Sequence, residues 1–350
     1  MAFTVRAIDV GFGQTKYVRR ITDGTIECAH FPSRAVWTIA DPSKGSTLGG
    51  RRKTVAFKIN DLYYEVGPEI ELALSNYRAA MPMADYIKTP EHLALLRGAL
   101  HYIDLESIDL LVVGLPVAML ASRKAALERL ATGEHPLGRG RYVQVKQALA
   151  IAQPQGALVA YAAEHKALTK LQSQESLVID AGSRTFDWLV TRGLRLVSGH
   201  SHSVDLGVSS IVRAIARAIS ADIGETYTAL DSLDAALRRE RPLRIFGKPY
   251  PIEPYRPIVE AMAHDAVRTM LANIGDRHRF DNIVLVGGGA DLFKAALSEA
   301  FGTQRIQEVV DPICANVRGY QIAGMDRVAS LRGKQASAEP DSSETAGEAP

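Results

Sequence analysis

At 350 residues the chain has room for two domains of ordinary size, and its 47% hydrophobic and 23% charged content is that of a globular protein with sizeable cores. A formal net charge of +2, from 41 Lys and Arg against 39 Asp and Glu, is too small to argue a dedicated nucleic-acid surface. Two distant cysteines, Cys28 and Cys314, with no C-x-x-C pair, suggest neither a disulfide framework nor a zinc site and read as reduced thiols. The N-terminus lacks the basic and apolar regions of a signal peptide, and no apolar run approaches the roughly 18 to 20 residues that span a bilayer. A cytoplasmic protein with no membrane partner is expected.

Along the chain, four short apolar runs feed glycine turns and read as buried strands: FTVRAIDVG (3–11), IDLLVVGLP (108–116), SLVIDAG (176–182) and DNIVLVGGG (281–289). Between the first two, residues from about 17 to 75 are polar and carry Asp-Gly, Pro-Ser and Gly-Gly turns. They also hold the alternating pieces TVAFKI and LYYEV, so a small β-rich insertion is expected there. Ser122 is placed to cap a helix in SRKAALERLATG that ends at Gly133. Helical 3–4 spacing recurs in Val208, Ile211, Val212, Ile215 and Ile219, and again in Ile258, Val259, Met262, Ala266, Met270 and Ile274. Asp291 is expected to cap the helix after the third glycine turn. Strands alternating with helices give an α/β architecture. Residues 331–350 have almost no large apolar side chains and are expected to be disordered. The basic runs at 139–141 and 237–244 read as solvated faces. His200 and His202, two apart and without an obvious third ligand, read as structural.

The chemistry concentrates in DVGFGQTK (9–16). No G-x-x-x-x-G-K-[ST] string occurs, which excludes a P-loop. The dinucleotide fingerprint G-x-G-x-x-G fails as well, because Lys16 stands at the third glycine and an acid precedes the first. An acid beside a phosphate makes sense where Mg²⁺ intervenes, since Mg²⁺ keeps most of its waters and is held through carboxylates. Asp9 therefore argues for a Mg-nucleotide site in which Lys16 neutralises phosphate charge. An echo at DAGSRTFD (180–187) repeats acid-x-Gly at a strand end. There Asp180 would mirror Asp9 across the metal, while Gly182, Ser183 and Thr185 donate to phosphates. Either turn alone is equally well a tight hairpin; the ordered pair is harder to dismiss. VGGGADLF (286–293) adds three glycines that permit close backbone approach to a ligand.

The ordered set DVGFGQTK, QPQGALVAY, DAGSRTFD and VGGGADLF resembles the actin/Hsp70/sugar-kinase ATPase superfamily, and most of all the plasmid-segregation actins of the ParM/StbA type. GLP at 114–116 and ANVRGYQIAG at 315–324 add to the likeness, which runs over roughly residues 3 to 330. It implies a duplicated ribonuclease H-like fold whose two lobes flank a nucleotide cleft. Residues 1–153 would form one lobe and 154–330 the other, a C-terminal helix near 315–330 returning to the first. It also implies ATP and Mg²⁺ as cofactors. Asp9 and Asp180 would organise the metal through water, and Gly11, Phe12, Gly13, Gln14, Thr15 and Lys16 would surround the phosphates. Gln155 would orient the attacking water, its amide being a poor base suited to slow hydrolysis. Gly182, Ser183, Arg184 and Thr185 would form the second phosphate turn, with the role of Arg184 open because the family favours small residues there. Gly207 would line the ribose or phosphate side, Asp205 would be a ribose candidate, and Gly287, Gly288 and Gly289 would lie near the adenosine. The implied function is a slow ATPase that polymerises and segregates plasmid DNA through an adaptor, without sequence-specific DNA contact of its own. A small-molecule kinase, or a non-polymerising ATP-dependent scaffold of the same fold, is the alternative.

Overall fold

The apolar run at the N-terminus folds as the start of a three-stranded meander, β1 (Val5–Val10), β2 (Gln14–Thr22) and β3 (Thr25–Pro32). The computed structural model describes residues 3–42, 52–73, 86–302 and 305–336. Short strands β4 (Val36–Thr38), β5 (Val55–Ile59) and β6 (Leu62–Val66) come next. Helix α1 (Pro90–Ile103), β7 (Ser107–Leu115), α2 (Val117–Ala131), β8 (Gly133–Gly138) and β9 (Arg141–Ala152) complete the first lobe. Strands β3-β2-β1-β7-β9-β8 form its sheet in that order. Pairing is antiparallel within the meander and parallel for β1–β7 and β7–β9.

The second lobe repeats this plan. After α3 (Gln153–Glu164) and α4 (Leu168–Leu171) come β10 (Glu175–Ala181), β11 (Phe186–Arg192), β12 (Arg195–Leu196) and β13 (His202–Val204). Helices α5 (Val208–Ile223) and α6 (Leu230–Leu237), the hairpin β14 (Arg244–Ile245) and β15 (Lys248–Pro249), and α7 (Arg256–Ile274) follow. The chain then adds β16 (Asn282–Val286), α8 (Ala290–Phe301), β17 (Ile306–Glu308) and α9 (Ala315–Ala336). The sheet order β12-β11-β10-β16-β17 has two antiparallel pairings followed by two parallel ones, as β3-β2-β1-β7-β9 does. This is the duplicated, actin-like α/β fold. Among the described residues no helix is long and apolar enough to cross a membrane.

The four apolar runs are β1, β7, β10 and β16, the central strands of the two sheets. The stripe Val208, Ile211, Val212, Ile215 and Ile219 of α5 is buried against the second sheet as its spacing requires. On α7 the buried stripe is Ala263, Ala266, Val267, Met270 and Ile274, with Ile258, Val259 and Met262 only partly covered.

Four local expectations need correcting. The β-rich insertion does not begin at 17, because β2 and β3 belong to the main sheet; only β4, β5 and β6 form a separate three-stranded sheet. The polarity of the meander reflects its position at the sheet edge, where alternate residues of β2 and β3 meet solvent. Ser122 lies inside α2, which starts directly after Pro116, and its hydroxyl donates to the Met119 carbonyl. Asp291 likewise sits in the first turn of α8, whose N-cap is Gly289. Of the expected tail, residues 331–336 are the last turns of α9, and 337–350 lie outside the described residues.

Helix α9 returns across the first sheet, where Val317, Tyr320 and Val328 pack with Val5, Ala7, Leu110 and Val112. Helix α3 packs on the second sheet through Leu158, Tyr161 and Ala162. The two helices cross at Gly156 and Gly319. A Cβ on Gly319 would lie 1.7 Å from the Gly156 carbonyl oxygen, and one on Gly156 would lie 2.4 Å from the Tyr320 ring. Gly319→Ala is therefore expected to cost about 1–3 kcal/mol or more by overpacking. Gly199→Ala, with open space at its Cβ, should stay within about 0.5 kcal/mol. Parallel denaturant titrations of the two variants check this, and equal midpoints would show that the crossing is not tight.

Candidate functional site

Each lobe contributes one acid at the end of a central strand, followed by a glycine turn and a return strand. In the first lobe Asp9 on β1 stands opposite Lys16 on β2; in the second, Asp180 on β10 stands opposite Asp187 on β11. Period-2 alternation then decides which neighbours face the same way. Gln14 and Lys16 point into a cleft between the lobes, while Thr15 points away and its fully buried hydroxyl hydrogen-bonds Ser33 at 2.8 Å. The cleft encloses about 770 Å³, its open mouth included.

On the floor of the cleft, Lys16 Nζ donates to Asp9 Oδ2 at 3.1 Å and Gln153 Nε2 to Asp9 Oδ1 at 2.8 Å. Asn316 Nδ2 donates to Asp180 Oδ2 at 2.6 Å. Asp187 accepts from the hydroxyls of Thr185 and Ser203. All three carboxylates are buried. Burial alone would lower the Lys16 pKa, but Asp9 and Asp180 outweigh it and hold the ammonium above its ordinary value. Burial raises Asp180 against the pull of Lys16 and Asn316. Burial, and then the charge of Asp180, push Asp187 up to about 7.

One ammonium thus faces two of the three acids, Asp9 and Asp180. The buried acceptors Gln14 Oε1 and Asn316 Oδ1 meet no protein donor. Among the described residues no group of three or more His, Cys, Asp and Glu is placed to hold a metal directly. A donor set of separated carboxylates and amide oxygens suits a hard cation that keeps its waters, as Mg²⁺ does.

The cleft brings together most of the residues expected from sequence. Asp9, Gly11, Phe12, Gly13, Gln14, Lys16, Asp180, Gly182, Ser183, Arg184, Thr185, Gly287 and Gly288 line it. The two turns meet so closely that a Cβ on Gly13 would lie 2.7 Å from the Ser183 Cβ. Gly287, at φ +94°, leaves room for Asp180 Oδ1, which a side chain there would strike at 2.4 Å. Arg184 lies over the Phe12 ring of the other lobe, 5.0 Å from its centroid, and pairs with Asp205 at 3.1 Å.

Five expected residues stand outside the lining. Thr15 turns away as described. Asp205 is held at the rim by Arg184. Gly207 and Gly289 cap α5 and α8 and shape the turn through hydrogen bonds to the Arg184 and Ala181 carbonyls. Gln155 projects elsewhere and donates to the Leu194 carbonyl at 3.2 Å. The amide that reaches the site is Gln153, the first residue of α3.

Sequence reading also missed Asp187, Asp234, Arg238, Ile313 and Asn316. Asp187 closes the quoted string DAGSRTFD and was visible as a second acid. Arg238 belongs to the basic run assigned to a solvated face; its guanidinium instead donates to the Gly288 carbonyl and to Asp234. His200 and His202 are structural, bonding the Asn273 carbonyl and packing edge-on against Trp188.

Residues 7–156 match the family of actin-like proteins in its N-terminal domain, and residues 178–299 match the C-terminal domain of the MreB-like archaeal actin homologues. The chain belongs to the actin-like superfamily. An archaeal actin homolog of Thermoplasma acidophilum is 27% identical over 340 residues, covering 91% of this chain and 98% of that protein. The crystal structure of Ta0583, an archaeal actin homolog, superposes with a TM-score of 0.76 at 23% identity, over 93% of this chain and 100% of that one. Its complex with ADP gives 0.70 at 24% identity with the same coverage. A 15-stranded ParM filament from Clostridium botulinum gives 0.72 at 19% identity, again over 93% of this chain and 100% of that one.

In this actin-like protein the shifted Asp187 has a consequence for stability. Its folded pKa of about 7 lies above the ordinary 3.8, so the fold favours the protonated carboxyl. That contribution is complete below about pH 4 and is lost as pH rises through about 7. The melting temperature of the ligand-free protein should fall over this window, and Asp187→Asn should flatten the fall. A variant with the same slope as the parent would locate the titration elsewhere.

Proposed function

We propose that the cleft binds Mg-ATP, that its hydrolysis is slow, and that the nucleotide state controls assembly of the chain into filaments. The observation that carries this reading is the pair of buried acid-glycine turns facing one lysine, Asp9 and Asp180 about Lys16. Such an arrangement suits a polyphosphate accompanied by a divalent cation, which would offset the surplus of buried negative charge. The cation, when bound, neutralises phosphate charge and polarises the phosphoryl oxygens.

The residues divide the work by position. Asp9 and Asp180, one from each lobe and each oriented by an amide donor, Gln153 and Asn316, would hold the cation. Lys16 compensates the charge on the transferred phosphoryl group, and the glycine turns offer backbone N–H groups to its oxygens. Gln153 takes the role that sequence gave to Gln155. Its Nε2 is spent on Asp9, which leaves Oε1 to accept from and orient the attacking water. An amide takes up no proton, in keeping with hydrolysis that acts as a timer. Arg238 and Asp234, at the Gly288 side of the cleft, face the nucleoside.

The ADP complex of the archaeal homolog and the ParM filament support the nucleotide and polymer parts of this reading. Carriage of plasmid DNA through an adaptor is the finer part and rests on the likeness to ParM. Three measurements test the proposal. Asp180→Ala should weaken Mg-nucleotide binding by about tenfold or more, the equivalent of roughly 1.4 kcal/mol. Gln153→Ala should slow single-turnover hydrolysis by about tenfold or more, while Gln155→Ala stays within about twofold. Light scattering should rise with Mg-ATP above a threshold protein concentration, and a flat trace from protein that still binds the nucleotide would sink the filament reading.

A further inference from the structure

The β14–β15 hairpin is rooted on one side and bare on the other. Leu243 and Ile245 are buried in the core of the second sheet, and Tyr250 N donates to the Leu243 carbonyl at 2.9 Å. Alternation then turns Arg244 and Phe246 outward. Phe246 and Gly247 form the two-residue turn, both at positive φ, 51° and 75°. Turns of this kind favour Asn-Gly, and a bulky side chain in the left-handed region is strained. Here that side chain is a phenylalanine, 73% exposed. A strained backbone that presents an uncovered ring serves a partner rather than the fold. Cations flank the ring in sequence: Arg239, Arg241, Arg244 and Lys248 are all exposed, against one acid, Glu240. None of the four forms an ion pair among the described residues.

The complementary charge lies in residues 337–350, SAEPDSSETAGEAP, which carry Glu339, Asp341, Glu344 and Glu348 and no Lys or Arg. Segment and hairpin start from opposite ends of the molecule. Helix α9 leaves the cleft at Asn316 and runs past Val5 to Ala336, about 30 Å of helix directed away from the cleft. Helix α7 spans nearly the same length on the other lobe. It starts beside the hairpin, where the Tyr250 and Tyr255 hydroxyls meet at 2.8 Å. It ends at Ile274, whose carbonyl accepts from Arg279, the partner of Glu175 at the far end of β10. An extended chain gains about 3.4 Å per residue. Within one molecule Glu339, Asp341 and Glu344 therefore cannot retrace α9 even to the cleft floor, and the hairpin lies beyond it. A second copy stacked end to end brings segment and hairpin together. Different surfaces on opposite ends make a heterologous contact, which propagates instead of closing on itself. We infer that residues 337–350 of one copy dock on the β14–β15 hairpin of the next, their carboxylates on its four cations and Pro340 on the Phe246 ring. The place of this contact in assembly rests on the filament reading; the docking itself does not.

The test titrates a labelled peptide of residues 337–350 onto full-length protein whose own acids are neutralised by Glu339→Gln, Asp341→Asn, Glu344→Gln and Glu348→Gln. Fluorescence anisotropy should show saturable binding that weakens as salt rises. Adding Arg244→Glu and Lys248→Glu should weaken it about tenfold or more. Phe246→Asn should weaken it about fivefold while the melting temperature holds or rises, because asparagine tolerates the left-handed turn position. In the unmodified protein, carbodiimide should couple Lys248 to an acid of 337–350 in a product with the mass of two chains. Absent binding, binding indifferent to the hairpin variants, or a link confined to one chain overturns the inference. A hairpin that holds a labelled DNA duplex more tightly than the peptide overturns it too. Light scattering with Mg-ATP separates the two readings. Equal thresholds for the unmodified and the neutralised protein overturn the role of the contact in assembly and leave the filament standing. Flat traces from both, with the peptide still bound and the two-chain link still formed, overturn the filament and leave the docking standing.

Discussion

The site depends on a contact that has no side chain in it. Where α3 and α9 cross, the Gly156 carbonyl occupies the space that a Gly319 side chain would need. One helix belongs to the core of the second sheet and the other to that of the first, so this approach sets how near the two sheets come. Tyr320, fully buried, fills the space beside it between Gly114 and Gly156. Only at this separation do two strand-end acids from different sheets fall within the field of one lysine. Burying charge is costly unless it is paired, and here the pairing is incomplete. The glycine crossing therefore enforces an electrostatic imbalance that a bound cation would relieve.

The duplicated halves have been given opposite characters by a single cross-strand position. Opposite Asp9 the return strand places Lys16; opposite Asp180 it places Asp187. Backbone and register are otherwise alike, so the difference lies in side-chain chemistry alone. The first jaw is charge-compensated, the Lys16 ammonium standing against the Asp9 carboxylate. The second is acidic, its inner carboxyl shifted toward protonation by burial and by Asp180 and stabilised by hydroxyl donors. A symmetric pair of jaws, both lysine-bearing or both doubly acidic, would favour either the anion or the cation and lose the other.

Much of this was legible in the sequence because it is local. A strand that ends in acid-x-Gly, as β1 and β10 do, declares both its burial and its turn, and four apolar runs feeding glycine turns marked the central strands of both sheets. The two acid-glycine turns, the α5 stripe and the absence of a dinucleotide fingerprint all follow from short windows. Other features were hidden for identifiable reasons. Residues 153 and 155 differ by about 200° around a helix, and QPQ does not reveal the phase of a helix that begins on its first glutamine. Asp234 and Arg238 reach the cleft from a helix whose distance in sequence gives no signature, and the string ANVRGYQIAG did not reveal that its Asn316 holds Asp180. Thr15 turns away because its strand alternates, which a motif read as a list of contacts ignores. The polar meander looked like an insertion because it sits at a sheet edge, half in solvent.

The floor and the mouth of the cleft are held by different kinds of interaction, and this bears on how the molecule responds to a ligand. The floor is a buried backbone contact between glycines, sensitive to a single methyl. The mouth is closed by partly solvated contacts between the lobes: Arg34, on the segment after β3, pairs with Asp231 on α6, and Arg184 lies over Phe12. Exposed ion pairs contribute roughly 0–1 kcal/mol and weaken with salt. Parting the lobes at the mouth would therefore cost little and displacing them at the floor much, so any relative motion of the lobes would pivot about the α3–α9 crossing. A ligand that bridges the Gly13 and Ser183 turns adds its own contacts far from that axis, where each favours the closed state over the open one. Population shift requires only such differential contact. Any surface spanning both lobes would then report the occupancy of the cleft without touching the ligand.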